Sequence, residues 1–148
     1  MKIFGKTLKE YFLPIKYYII CTVLIVISQY YVALPLNLNY PYILNLTQAL
    51  WAIMIALSVV KLTLYYNFKL KNVLFLGVLY SLIIHGLKAF VFRIFLFPYS
   101  GTLTQVLEKS IGKFLYGSFL VMVIVIILGF IFIRLKNNQE VRESFRWL

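Results

Sequence analysis

His85, Lys88 and Arg93 stand inside an otherwise apolar run from 73 to 97. An imidazole can ligate a metal, move a proton or share a hydrogen bond, and an ammonium or guanidinium binds anions. Such groups are expensive in hydrocarbon unless a partner, a wet cavity or a route to the interface relieves them. Taken as one α-helix, the run is roughly 37 Å long, with His85 near mid-depth, Lys88 about 4.5 Å and Arg93 about 12 Å farther along. His85 and Lys88, three positions apart, share much of a face, and Arg93 is rotated away from both. The geometry admits an anionic lipid, a quinone beside His85, or a haem held by His85 with its propionates on Lys88 or Arg93. The bland alternative is a neutral, hydrogen-bonded packing histidine, with Lys88 and Arg93 stretching their aliphatic stems toward the interface.

The element that carries this cluster is one of four. Apolar stretches at 15–34, 42–60, 73–97 and 114–133 each approach the roughly 20 residues that cross a bilayer as a helix. With 63% apolar and 18% aromatic residues in 148 positions, a single all-α, polytopic membrane domain spanning 1–148 is expected. Continuous apolar runs lack the alternation of barrel strands. Cys21 is the only cysteine, so neither an intrachain disulfide nor a cysteine-cluster metal site is available.

The formal net charge of +11 is distributed in a way that favours a membrane over nucleic acid. Lys2, Lys6, Lys9 and Lys16 precede or begin the first span; Lys61, Lys69 and Lys71 lie between the second and third; Arg134, Lys136, Arg142 and Arg146 follow the fourth. Four crossings put these groups on one side, which the positive-inside rule makes the cytoplasm or an organellar matrix. Both termini, including the tail 134–148, are expected there, in a cell membrane or a mitochondrial inner membrane. The acidic residues Glu10, Glu108, Glu140 and Glu143 all fall outside the spans, and aspartate is absent. His85, Lys88 and Arg93 therefore have no carboxylate of their own chain at their depth.

Ile3, Phe4, Leu8, Tyr11, Phe12 and Ile15 recur at helical spacing opposite lysines, which predicts an N-terminal interfacial amphipathic helix with Pro14 as its junction. No Ala-x-Ala cleavage pattern follows the first span, so its removal as a secretory signal is not expected. Tyr17-Tyr18 and Tyr30-Tyr31 read as interfacial anchors. Asn45-Leu46-Thr47 matches a glycosylation sequon, but its place beside the second span favours a local backbone or interhelix hydrogen bond. The Ala52/Ala56 and Gly77/Ser81 pairs allow close helix approach, and Trp51 reads as a lipid-facing or interhelical wedge. Pro98-Tyr99-Ser100-Gly101 marks a turn, and Thr102 with Gln105 has capping-box spacing before a short outer helix, either separate from the fourth span or continuous with it. Residues 137–148 alternate charge with apolar side chains, as a surface segment or a docking tail does.

Tyr80-Ser81-Leu82-Ile83-Ile84-His85-Gly86 resembles the histidine-bearing membrane segment of succinate dehydrogenase membrane-anchor subunits. The resemblance covers about one helix and implies a haem shared between two subunits. With one histidine in this chain, a second histidine ligand would have to come from another polypeptide. The chain departs from that family's pattern in having Arg93 and no acidic residue or Asp-Tyr pair farther along, and four spans where those anchors use three.

No serine-histidine-acid set, phosphate loop, dinucleotide fingerprint, metalloprotease motif or carboxylate pair is present. The expected role is a noncatalytic accessory subunit of a larger membrane complex, respiratory among the candidates, with other integral subunits and anionic phospholipid as partners. A homo-oligomeric channel or transporter and a haem- or quinone-associated oxidoreductase anchor are the alternatives. No catalytic residue is assigned; His85, Lys88 and Arg93 are the binding candidates, and His85 is a metal ligand only in the haem case.

Overall fold

The computed structural model describes residues 2–97 and 100–148. Among the described residues, four helices are long and apolar enough to cross a membrane: α1 (Leu8–Leu36), α2 (Ile43–Tyr65), α3 (Leu70–Leu96) and α4 (Leu103–Leu135). The chain is a multi-spanning helical membrane protein, and each helix extends beyond the apolar run that marks it. Polar residues at the ends continue the backbone ladder once the apolar centre has nucleated it, so the short outer helix expected near 103–111 is the first part of α4.

The entry to α1 is shorter than the residue spacing predicts. Strands β1 (Lys2–Ile3) and β2 (Lys6–Thr7) pair antiparallel, joined by Phe4 and Gly5, both at positive φ (50° and 84°). Two positive-φ residues in a two-residue hairpin loop make a type I′ turn, a geometry that Gly5 takes without strain. Thr7 then closes a capping box: its backbone N–H donates to Glu10 Oε2 at 2.7 Å, and its hydroxyl accepts from the Glu10 N–H at 3.3 Å. Pro14 sits in a single 3₁₀ turn, Leu13–Ile15, and the helix continues from Lys16.

Tyr11 is fully buried in protein. Its ring meets Phe68 and Phe75 edge-on at centroid distances of 4.9 and 5.0 Å. Asn72 donates from Nδ2 to the Tyr11 hydroxyl at 2.8 Å and to the Phe4 carbonyl at 3.1 Å. The hairpin is thus fastened to the first turn of α3, and the stripe that reads as interfacial is partly a protein contact.

Helix α4 packs on both α2 and α3, and α1 packs on α2. Along α4, Gly117, Val121, Val125 and Gly129 are buried at every fourth position. The glycines receive α3: a Cβ on Gly129 would lie 2.6 Å from Val73 Cγ1, and one on Gly117 would overlap the His85 ring. Gly77 of α3 returns the fit, with Met122 and Val125 against it. Close backbone approach through small residues is how membrane helices gain dispersion contacts when lipid is as apolar as their own side chains. Leu24, Ile53, Val78, Phe119 and Ile127 face outward and are exposed, as in a bundle solvated by acyl chains.

Several hydroxyls in the interior return to the backbone, where no water competes, although those of Ser81, Ser110 and Ser118 are enclosed without a partner among the described residues. Thr22 donates to Tyr18 O at 2.8 Å, Ser58 to Met54 O at 2.8 Å and Thr63 to Val59 O at 2.7 Å. Thr47 donates to Leu44 O at 2.8 Å, the local bond favoured over use of the sequon. Ser58 also shares a short hydrogen bond with the Tyr80 hydroxyl, tying α2 to α3.

At the end carrying both termini, helix α5 (Gln139–Ser144) and the residues after it fold back on the bundle. Phe145 meets Phe132 edge-on at 5.5 Å, Tyr65 donates to Arg142 O at 2.7 Å, and Lys61 donates to Leu148 O. The tail therefore docks on its own chain. At the opposite end, Pro98 and Tyr99 of the expected turn lie outside the described residues. Thr102 caps α4 through the expected box with Gln105.

Two stretches depart from α-geometry. Gln29–Ala33 in α1 and Leu82–Leu96 in α3 are π-helical. In the second, the Phe97 N–H reaches back five residues to Phe92 O at 2.6 Å. Wider turns alter which side chains share a face, and α3 carries the basic cluster through such turns.

Candidate functional site

A cavity of about 370 Å³ lies among all four helices, in the half of the bundle away from the termini. Gln29 and Tyr30 come from α1, Gln48 and Trp51 from α2, His85, Lys88 and Arg93 from α3, and Lys113 and Gly117 from α4. α-Helical spacing predicts His85 and Lys88 on one face with Arg93 turned away; all three line this cavity. The physical reason is the π-helix. At about 4.4 residues per turn, positions five apart fall within about 50° of each other, against about 140° in an α-helix. Arg93, five positions after Lys88, therefore returns to the same side.

His85 forms part of the floor. Its ring is buried, lies edge-on to the Trp51 indole at a centroid distance of 5.7 Å, and rests against the backbone of Gly117. The sequence reading has it hydrogen-bonded; instead, Nε2 is enclosed without a hydrogen-bond partner among the described residues. Trp51 Nε1 and Gln29 Oε1 are likewise enclosed and unpartnered. Each such group costs about 1–3 kcal/mol when left unsatisfied.

Lys88 bends inward. Its ammonium lies 5.3 Å from the centroid of the Trp51 ring, where the sequence reading has it stretching toward the interface. A desolvated cation–π contact supplies about 2 kcal/mol, less than the roughly 2.5–3.5 kcal/mol that a lysine costs at the centre of a membrane helix. The aromatic face alone falls short of compensating the charge. Arg93 lies 5.3 Å from the centroid of the Tyr30 ring and donates through Nη1 to Phe97 O at 3.5 Å.

Tyr30 fixes the wall that holds these cations. It stacks on Phe92 at 4.4 Å with an interplanar angle of 8°, and its hydroxyl donates to Lys88 O at 3.2 Å. Burial separates it from Tyr31, which is exposed and keeps the character of an interfacial anchor. The hydroxyl contact ties α1 to the backbone of the π-helical part of α3.

The described lining contains Lys88, Arg93 and Lys113 and no carboxylate. Exposed lining side chains, Gln48, Lys113, Tyr116 and Leu120, all come from α2 and α4, whereas Trp51, His85 and Ala89 are buried. The open side therefore lies between the outer ends of α2 and α4. Beneath the floor, Ile55, Tyr80, Ile84 and Val121 are fully buried and close the inner half.

Sequence reasoning missed Gln29, Gln48, Lys113 and Gly117 as cavity residues. The two amides carried a legible signal, being polar residues within spans of otherwise apolar type. Gly117 carried none, because its role depends on which side chain faces it.

A haem, implied by the local resemblance, fits poorly. Nε2 of His85 has no free surface to offer an iron, and Trp51 stands edge-on to the ring. Among the described residues, no three His, Cys, Asp or Glu side chains converge. No protein-family model matches the chain, and no curated protein or solved structure shows significant similarity to it.

Proposed function

We propose that this multi-spanning membrane protein is a noncatalytic integral subunit of a larger membrane assembly, contributing a cationic socket for an anionic group supplied from outside the chain. One observation carries the reading: Lys88, compensated only in part by the Trp51 ring, faces a cavity whose described lining holds no carboxylate and to which Arg93 and Lys113 also belong. A charge that is costly in hydrocarbon persists where something recurrently neutralises it. Cations with no carboxylate among them in the described lining suit binding better than general acid–base catalysis. The basic ends of the helices favour placing both termini on the cytoplasmic or matrix side.

Anion transport is a weaker reading, because the cavity ends at a packed floor and a through-route would need further chains. A haem-holding role in a respiratory assembly is weaker still, given the enclosure of His85 Nε2. The test is native mass spectrometry after extraction in a mild detergent. The expected result is a larger assembly or a retained anionic adduct, diminished by Lys88→Gln together with Arg93→Gln. A ligand-free monomer under every mild condition would refute the proposal.

A further inference from the structure

We infer that the cavity binds one anionic glycerophospholipid, admitted sideways from the leaflet opposite the termini. The inference rests on the proposed anion socket and specifies its occupant. Its first support is the position of the opening. The exposed lining residues Gln48, Lys113, Tyr116 and Leu120 belong to α2 and α4, so the mouth lies between two membrane-spanning helices. A ligand entering there comes from among lipids.

The second support is the division of chemistry within the cavity. Leu34, Leu44 and Leu120 provide apolar wall, and Lys88, Arg93 and Lys113 provide the charge. A headgroup with part of its acyl chains matches that mixture, and the volume of about 370 Å³ is in the range of sites for small organic ligands. A bare inorganic anion would leave the leucines facing empty space. The cationic side chains bind phosphate through charge-assisted hydrogen bonds.

The third support is the sign of the charge. A phosphatidylglycerol headgroup brings a net negative charge to the cations of the lining, whereas the quaternary ammonium of phosphatidylcholine would face them.

The chain contains two tryptophans. Trp147→Phe, in the exposed tail, leaves Trp51 as the sole indole reporter. This variant is reconstituted in phosphatidylcholine vesicles containing a minor, matched fraction of either brominated phosphatidylglycerol or brominated phosphatidylcholine. Bromine on the acyl chains quenches an indole it touches. The expected result is several-fold stronger quenching of Trp51 by the phosphatidylglycerol probe. Lys88→Gln with Arg93→Gln should abolish that preference, while Lys88→Arg, which keeps the charge and controls for folding, should retain it.

Equal quenching by the two probes overturns the inference, as does a preference unchanged by the double substitution. If millimolar inorganic phosphate removes the preference, the occupant is a free anion: the lipid assignment fails and the anion socket stands. If native mass spectrometry also shows neither anion nor partner, both readings fail.

Discussion

Gly117→Ala tests the packing of the cavity floor with a perturbation of one methyl group. A Cβ at this position would overlap the Cγ, Nδ1 and Cε1 atoms of His85, and the ring has Trp51 beside it. Gly112, one and a half turns earlier in the same helix, has open space where its Cβ would stand. Both substitutions gain about 0.8–1.0 kcal/mol of helix propensity, and only the first incurs overpacking, about 1–3 kcal/mol. Gly112→Ala should therefore stabilise the protein by up to about 1 kcal/mol. Gly117→Ala should range from near neutral to about 2 kcal/mol destabilised once the propensity gain is subtracted. The difference between them, about 1–3 kcal/mol, is the overpacking cost itself and does not depend on the propensity scale. Gly77→Ala should fall between the two, because its nearest obstacle is the flexible Met122 thioether. Denaturation of the series in mixed micelles, followed by circular dichroism, gives the order. Equal midpoints for Gly117→Ala and Gly112→Ala would refute the packing of His85 against α4.

Two further outcomes follow from other parts of the bundle. Asn72→Ala removes the donor to both Phe4 O and the Tyr11 hydroxyl; it should destabilise the hairpin end by about 1–3 kcal/mol and speed tryptic cleavage after Lys6 or Lys9, and unchanged proteolysis would contradict the latch. Single cysteines at Asn39 and Lys69, introduced into a Cys21→Ala background, should be labelled by an impermeant thiol reagent from opposite sides of sealed vesicles, with labelling of both from one side overturning the four-span topology.

Much of this fold was readable because hydrocarbon imposes a coarse rule on chain segments: a long apolar run with internally satisfied backbone becomes a helix. Each of the four runs lies within or largely overlaps its helix. Their ends were less legible, since Lys61 and Lys109 lie inside regular helix without belonging to the apolar signal. The basic cluster was conspicuous because embedded charge is rare. Its convergence was hidden, because α-periodicity places Arg93 away from Lys88 and the π-helix brings it back. Tyr30 shows the same limit from another side. Next to Tyr31 at a span end it has the signature of an interfacial anchor, and only the placement of Phe92 and the Lys88 carbonyl makes it part of a wall. Burial of Tyr11 by Phe68 and Phe75 likewise arises from a meeting of distant segments that local spacing does not encode.

The packed layer of Ile55, Tyr80, Ile84 and Val121 under the cavity makes it a cul-de-sac. On the proposed lipid-binding reading, entry and exit both use the gap between α2 and α4. Occupancy then reports the make-up of one monolayer, giving the bundle a sidedness that its hydropathy profile does not display.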